Sequence, residues 1–290
     1  MMVECRAEHD GRAIDLELKI PPMPEVLQKL QSLLAQPEVS PVEVSRLIAS
    51  DVRLTAEILR VVNSPFYGMK NTIHSVETAV VLLGLSNVIN IIRAVMLRND
   101  PELGADKRFD RFWDTATDVA MAAAFLAKRL TGIHPDRAYT MGLFHDIGIP
   151  MLIVQLPGYQ EALRKADVEK EISITMLEQQ LFGVNHACVG HQVAREWMLD
   201  ECLQTVILHH HDFAGLVQRH DRIEEDVLIL IALLKMAEHV SNCFRGLAFR
   251  ELTEDLEWQS VAPLVLDYMA LDELEFSDHV EHIVTMLGNA

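Results

Sequence analysis

Cysteine is scarce in this 290-residue chain: the four present, Cys5, Cys188, Cys202 and Cys243, form no CxxC pair, so neither a zinc ribbon nor a disulfide framework is suggested. Scattered thiols fit a reducing cytoplasm. Positive charge is short as well, with 25 Lys and Arg against 43 Asp and Glu and a net charge of −18. That balance argues against a nucleic-acid backbone or an anionic membrane as the main partner. The opening MMVECRAEHDGRAIDLELK lacks the apolar core of a signal peptide. The longest apolar run, Val227 to Leu234, falls short of the roughly 20 residues that span a bilayer. No alternating strand pattern, internal repeat or low-complexity tract is present, and the expectation is a cytoplasmic protein without membrane spans.

Half of the residues are hydrophobic, enough for a sizeable core, and they recur at helical spacing almost throughout. The sequence therefore predicts an all-α fold, a multi-helix bundle in two packed subdomains, 1–100 and 109–290, divided by the polar NDPELGADKR from Asn99 to Arg108. Ser40, Pro41 and Glu43 read as a capping box opening a helix at Pro41. The helix through TAEILRVVNS should stop near Asn63 to Pro65, leaving PFYGMKNT as a loop. Ser75 should open the next helix, Gly84 should close it in the left-handed conformation, and Ser86 should cap the one running to about Leu97, at a steep angle to its neighbour. Further helices are expected over Arg111–Leu130, Arg137–Ile147, Thr175–Phe182, His186–Trp197, Leu203–His209 and Asp226–Phe244, followed by a shorter carboxyl-terminal cap.

The chemistry concentrates in the second half. His145 and Asp146 adjoin in GLFHDIGIPML, on what reads as a buried helix, where an imidazole and a carboxylate need a proton, a partner or a metal to offset desolvation. His186 in GVNHACVGH, the triplet His209, His210 and His211, and Glu238 in LLKMAEHVSN place further donors on successive helices. A His-Asp pair can equally be a satisfied core hydrogen bond, and the triplet can be a solvated helix end. His134, His191, His220 and His239 read as surface or supporting residues. Asn63 reads as a helix-end and turn stabiliser, Phe66 and Tyr67 as aromatics packed under the Pro-Gly turn, and Met121, Met141, Met151 and Met176 as core filler. The helices around Gly84 resemble a helix-turn-helix in outline, but Val76 to Val95 carries one arginine, Arg93, whereas groove binding needs several basic phosphate contacts.

The segments IPPMPEVLQKL (Ile20–Leu30), LTAEILRVVNSPFYG (Leu54–Gly68) and IHSVETAVVLLGLSNVINI (Ile73–Ile91), in that order and spacing, resemble the HDOD domain of bacterial signalling proteins, and the second half resembles the HD-type core it shares with HD-GYP phosphodiesterases. The resemblance covers about Leu16 to Asn242. It implies that His145, Asp146, His186, His210, His211 and Glu238 hold one or two divalent ions, of iron, manganese, zinc or nickel, with Glu238 where the pattern usually has aspartate.

This chain departs from the HD pattern elsewhere. Thr115 in WDTATDVA stands where the first histidine belongs, with Asp114 and Asp118 as substitute oxygen donors one turn apart. Ile149 replaces the lysine that follows HDIG, and no GYP segment follows His211. The resemblance thus implies a non-catalytic regulatory module that relays a signal by binding a protein partner or a small signal molecule. The alternative is a metal-dependent phosphohydrolase acting on a nucleotide or cyclic dinucleotide. A third reading treats the histidine cluster as purely structural.

Overall fold

In the computed structural model, residues 18–35, 39–65, 67, 69–100, 103, 109–168, 173–219, 223–249 and 255–288 are described, and every regular element among them is an α-helix apart from a single 3₁₀ position. Five helices form the amino-terminal bundle: α1 (Glu25–Leu34), α2 (Pro41–Ala49), α3 (Val52–Val62), α4 (Val76–Leu83) and α5 (Leu85–Arg98). Helix α3 begins where the Asp51 carboxylate accepts from the backbone N–H groups of Arg53 and Leu54, and it buries Leu54, Ile58, Val61 and Val62, one face of a 3.6-residue period. It ends at Asn63, whose side-chain amide donates to the carbonyls of Leu59 and Ile73 while its oxygen accepts from Ile73 N–H. That asparagine staples the two ends of the intervening loop together.

Local details differ from expectation where backbone competes with side chain. Helix α2 does start at Pro41, but Ser40 makes no side-chain cap bond; its carbonyl accepts from Glu43 N–H instead. Ser75 caps α4 through Thr78 N–H. Gly84 takes φ 77° and ψ 154°, a positive-φ extended conformation open to glycine rather than the left-handed helical one. One residue thus serves as the end of α4 and the start of α5, which bends the pair by 112° and places Ser86 inside α5 instead of at its cap. Most of the polar stretch 99–108, along with Cys5, Phe66 and His220, lies outside the described residues.

The second half continues with α6 (Asp110–Leu130), α7 (Pro135–Phe144), α8 (Gly148–Gln155), α9 (Tyr159–Val168), α10 (Ile174–Phe182), α11 (His186–Glu196), α12 (Glu201–His209), α13 (Phe213–Gln218), α14 (Glu225–Phe249), α15 (Leu256–Tyr268) and α16 (Glu273–Leu287). The helix expected over Arg137–Ile147 stops at Phe144, and residues 145–147 form a turn into α8. Helix α14 is long and apolar enough to cross a bilayer, yet 67% of its apolar window is buried inside the protein, packed against α6, α7, α12, α15 and α16. Met121, Met141 and Met151 are core residues, while Met176 is 58% exposed, because it lies on the outer side of α10.

Helix α7 is the seam between the two halves. It packs on α6 through small residues, on α14, and on α5 of the amino-terminal bundle. Across the α5 contact, the Asn87 amide donates to the Tyr67 hydroxyl and to Asp136, and the Asn90 amide donates to the Thr140 hydroxyl. Farther along, Arg93 donates to the Met198 carbonyl and the Trp197 indole to the Pro21 carbonyl. The alanines of α6 let α7 approach so closely that a Cβ on Gly142 would lie 2.5 Å from the Ala120 Cα. Gly142→Ala should therefore destabilise the protein by about 1–3 kcal/mol through overpacking. Gly132→Ala, where nothing lies within 4 Å, should leave the urea midpoint close to wild type; equal midpoints for the two variants would contradict the close approach.

Candidate metal centre

Each histidine of the candidate centre is held by its outer ring nitrogen. In the turn after α7, His145 Nδ1–H donates to the Gly142 carbonyl at 2.9 Å, and after α12 His210 Nδ1–H donates to the Ile207 carbonyl at 2.8 Å. His186, at the first position of α11, points Nδ1 at Glu178 of α10 at 2.8 Å, while His211 points Nδ1 at Glu257 of α15 at 3.0 Å. Carbonyl and carboxylate partners only accept, so these bonds fix the tautomer and leave each Nε2 facing inward. Asp146 completes the set, with Oδ1 at 3.4 Å from His186 Nε2 and 3.3 Å from His210 Nε2, and Oδ2 at 3.2 Å from His145 Nε2.

The backbone makes this convergence possible. Consecutive helical residues point about 100° apart, and the turn at 145–147 releases His145 and Asp146 from that constraint so both serve one centre. Gly148 follows because α8 lies against α11: a Cβ there would sit 2.0 Å from the His186 carbonyl oxygen. Asn185 caps α11 through Cys188 N–H, which sets His186 at the start of its helix.

Among the described residues, one donor atom each from Asp146, His186, His210 and His211 falls within a sphere of mutual separation 4.8 Å. Inside it, His186 Nε2 lies 2.9 Å from His211 Nε2 and 3.4 Å from His210 Nε2. Lone pairs facing one another at such distances require a shared proton or a cation between them. Burial disfavours a charged His186, but the hydrogen bonds it donates to Asp146 and Glu178 outweigh that and raise its pKa to about 10. Burial and the neighbouring charges of His211 and Lys235 push His210 well below the usual histidine range, and burial with Lys235 lowers His211. The partly buried Asp146 stays ionised, held by His145, His186 and His210. With the extra proton on His186 displaced, three imidazole nitrogens around one carboxylate are a donor set of the kind that takes a divalent ion of the first transition row. The arrangement gives the protein a metal-competent His/Asp cluster.

The other expected donors lie beside this set. Glu238 Oε1 is 3.5 Å from His145 Nε2, and its Oε2 accepts from the Lys235 ammonium at 2.9 Å. Thr115 lines the same cavity, but its hydroxyl donates to the Arg111 carbonyl at 2.9 Å. Asp118 pairs with Arg245 at 2.6 Å and Asp114 approaches Arg98 at 3.9 Å, so neither replaces a first histidine. His209 is not part of the cluster; it lies at the outer end of α12, half-buried. His134 caps α7 through Asp136 N–H, and His191 donates to the Gln204 carbonyl.

Sequence reasoning missed Glu178, Lys235 and Glu257. Glu178 is 1% exposed and also takes the Tyr159 hydroxyl; a glutamate surrounded by the apolar residues of ITMLEQQLF was its only trace. Lys235 interrupts the apolar run LILIALLKMAEHV three residues before Glu238, a spacing that pairs charges on a helix. Glu257 carries no local signal, since its role depends on how α15 folds back.

A cavity of about 320 Å³ opens beside the cluster, walled by His145, Asp146, His186, His211 and Glu238 on one side and by His239, Asn242 and Trp258 on another. His239 stacks on Trp258 with ring centroids 4.9 Å apart and donates from Nδ1 to Asp255 at 2.8 Å.

With the site in view, comparison with known proteins is informative. The model of the HDOD domain matches residues 20–213. The chain belongs to the HDOD family. An HDOD domain protein of unknown function from Geobacter sulfurreducens has the same fold, with a TM-score of 0.64 at 24% identity over 93% of this chain and 92% of that one. A Shewanella amazonensis protein provisionally named a phosphohydrolase superposes with a TM-score of 0.63 at 22% identity over 93% and 94%. An uncharacterised protein from Treponema pallidum (strain Nichols) is 29% identical over 198 residues, 67% of this chain, and the chain spans 38% of that relative's length. The HDOD match ends at residue 213, so Lys235, Glu238 and Glu257 lie beyond it.

One pH prediction follows from His239. Burial opposes its charge, but the bonds to Asp255 and Cys243 win and raise its pKa to about 9. A pKa raised on folding stabilises the native state fully below the unfolded value of about 6.5 and progressively less as pH climbs through the folded value. His239→Gln should therefore lower the urea midpoint markedly at pH 6 and hardly at all at pH 10; a midpoint difference independent of pH would refute the pairing with Asp255.

Proposed function

We propose that this HDOD protein is a non-catalytic cytoplasmic signalling module that binds a divalent ion and relays a protein or small-molecule signal through the packing of α7. The observation that carries the reading is the position of α7 between two polar constellations. Asp136 and Thr140 bond the amino-terminal bundle through Asn87, Tyr67 and Asn90, and the turn that follows supplies His145 and Asp146 to the cluster. A helix of ten residues is about 15 Å long, so a shift at one end is felt at the other. Signal transfer of this sort needs a difference in affinity between two packings, and the ligand that provides it enters either the cavity or the seam. The acidic surface of the chain and its few basic residues favour a protein or small-molecule partner over nucleic acid.

The ion itself would be held by Asp146, His186, His210 and His211, with Glu178 and Glu257 orienting two of the imidazoles. Manganese, iron, zinc and nickel all suit mixed imidazole and carboxylate donors. The second reading, a phosphohydrolase acting on a nucleotide or cyclic dinucleotide, is favoured by the cavity that opens onto the cluster. A divalent ion there would supply Lewis acidity to a phosphoryl oxygen. Weighing against it, the Thr115 hydroxyl is tied to the backbone, and Ile149 replaces a cation on the same wall.

Elemental analysis of protein purified without chelator should find metal in the wild type and none in Asp146→Ala. Glu178→Gln should weaken affinity about 10–100-fold, the usual effect of losing a carboxylate that orients a ligating histidine. Metal-loaded wild type should leave a panel of phosphoesters, nucleotides and cyclic dinucleotides uncleaved; metal-dependent turnover abolished by Asp146→Ala would replace the relay reading with the hydrolase.

A further inference from the structure

We infer that the centre holds a single divalent ion because the Lys235 ammonium occupies the place of a second cation. The inference rests on the metal reading above and concerns how many ions the cluster takes. Asp146 divides its oxygens: Oδ1 faces His186 and His210, within the compact four-donor set, and Oδ2 faces His145. Glu238 divides its own likewise, Oε1 toward His145 at 3.5 Å and Oε2 toward Lys235 at 2.9 Å. A second ion would need His145 Nε2, Asp146 Oδ2 and Glu238 Oε1, a set of one neutral and two anionic donors. Of those two anions, Glu238 already has a cation beside it. Lys235 is 3% exposed, and its ammonium bridges Glu238 and Glu257, the latter at 2.5 Å.

The surroundings of the lysine make it a built-in counter-ion. Its ammonium lies 2.9 Å from Glu238 and 2.5 Å from Glu257, so two carboxylates offset the cost of burying it. Its carboxylate partners come from two helices, α14 and α15, and one of them, Glu257, also receives the proton of His211 Nδ1. The ammonium thus stands one carboxylate away from each half of the centre, linking to His145 through Glu238 and to His211 through Glu257. A divalent ion placed among His145, Asp146 and Glu238 would face this fixed positive charge across the Glu238 carboxylate, with no histidine at position 115 to add a donor. Removing the ammonium would leave the partly buried Glu238 without its cation and Glu257 with His211 alone, a situation that favours uptake of a proton or a cation beside Glu238.

The test is the number of Mn²⁺ ions bound per chain at saturation, by equilibrium dialysis of the full-length protein after chelator stripping, with electron paramagnetic resonance to distinguish an isolated ion from a coupled pair. Wild type should bind one ion with the signal of isolated Mn²⁺. Lys235→Ala and Lys235→Ser, checked for helicity by circular dichroism, should bind two and show spin coupling. Two ions in the wild type, or one ion in both folded variants, would overturn the inference while leaving the metal site standing. No binding to any of the proteins would overturn the metal reading and the inference together. Should neither variant fold, the wild-type stoichiometry decides alone: one supports the inference and two refutes it.

Discussion

The protein is organised around an electrostatic problem: imidazoles turned inward on one carboxylate in a site walled by helices. Four outer bonds, two to carbonyls and two to carboxylates, lock the rings so that lone pairs rather than N–H groups meet at the centre. Such a core is tolerable only with a cation or shared proton inside it. The surrounding architecture supplies the means to hold that arrangement. Helices α7 and α8 meet at the turn bearing His145 and Asp146, α11 begins at His186, α12 ends into His210 and His211, and α14 and α15 carry Lys235, Glu238 and Glu257. Five of these six helices, all but α14, contribute at an end, where the chain changes direction and side chains from different elements can converge.

Close helix packing sets the precision of the centre. Gly142 lets α7 lie on the backbone of α6, and Gly148 lets α8 lie on α11 at the carbonyl of His186. A side chain at either glycine would displace a donor as well as a helix. Because α7 also bonds to α5 through side-chain amides and hydroxyls, the amino-terminal bundle is not an appendage; its buried residues and those of the second half belong to one hydrophobic cluster from Leu18 to Leu287.

Electrostatic compensation extends beyond the four-donor set. Asp118 and Arg245, His239 and Asp255, and Lys235 with its two glutamates each neutralise a charge on the walls of α6, α14 and α15. The cavity beside the cluster is therefore lined by charges already paired, and its free chemistry is concentrated at the inward nitrogens. An ion bound in such a site would change several buried interactions at once.

Local sequence was enough for the all-α class, for the helix starts at Pro41 and Val76, and for the sharp bend between α4 and α5, because hydrophobic periodicity, proline, a serine cap and glycine act within a few residues. A family resemblance and chemistry-bearing residues in apolar surroundings pointed to His145, Asp146, His186, His210, His211 and Glu238 as candidate donors, and the fold brings Asp146, His186, His210 and His211 into one group. Tertiary structure alone decided that Glu238 is shared with Lys235, that Thr115 turns to its own backbone, that Met176 is exposed, and that Glu178 and Glu257 orient the histidines. Those partners are separated by 8 residues for Glu178 and His186 and by 46 for Glu257 and His211. Hydrogen bonds and ion pairs act over a few ångströms of space, and only packing fixes which distant residues come that close.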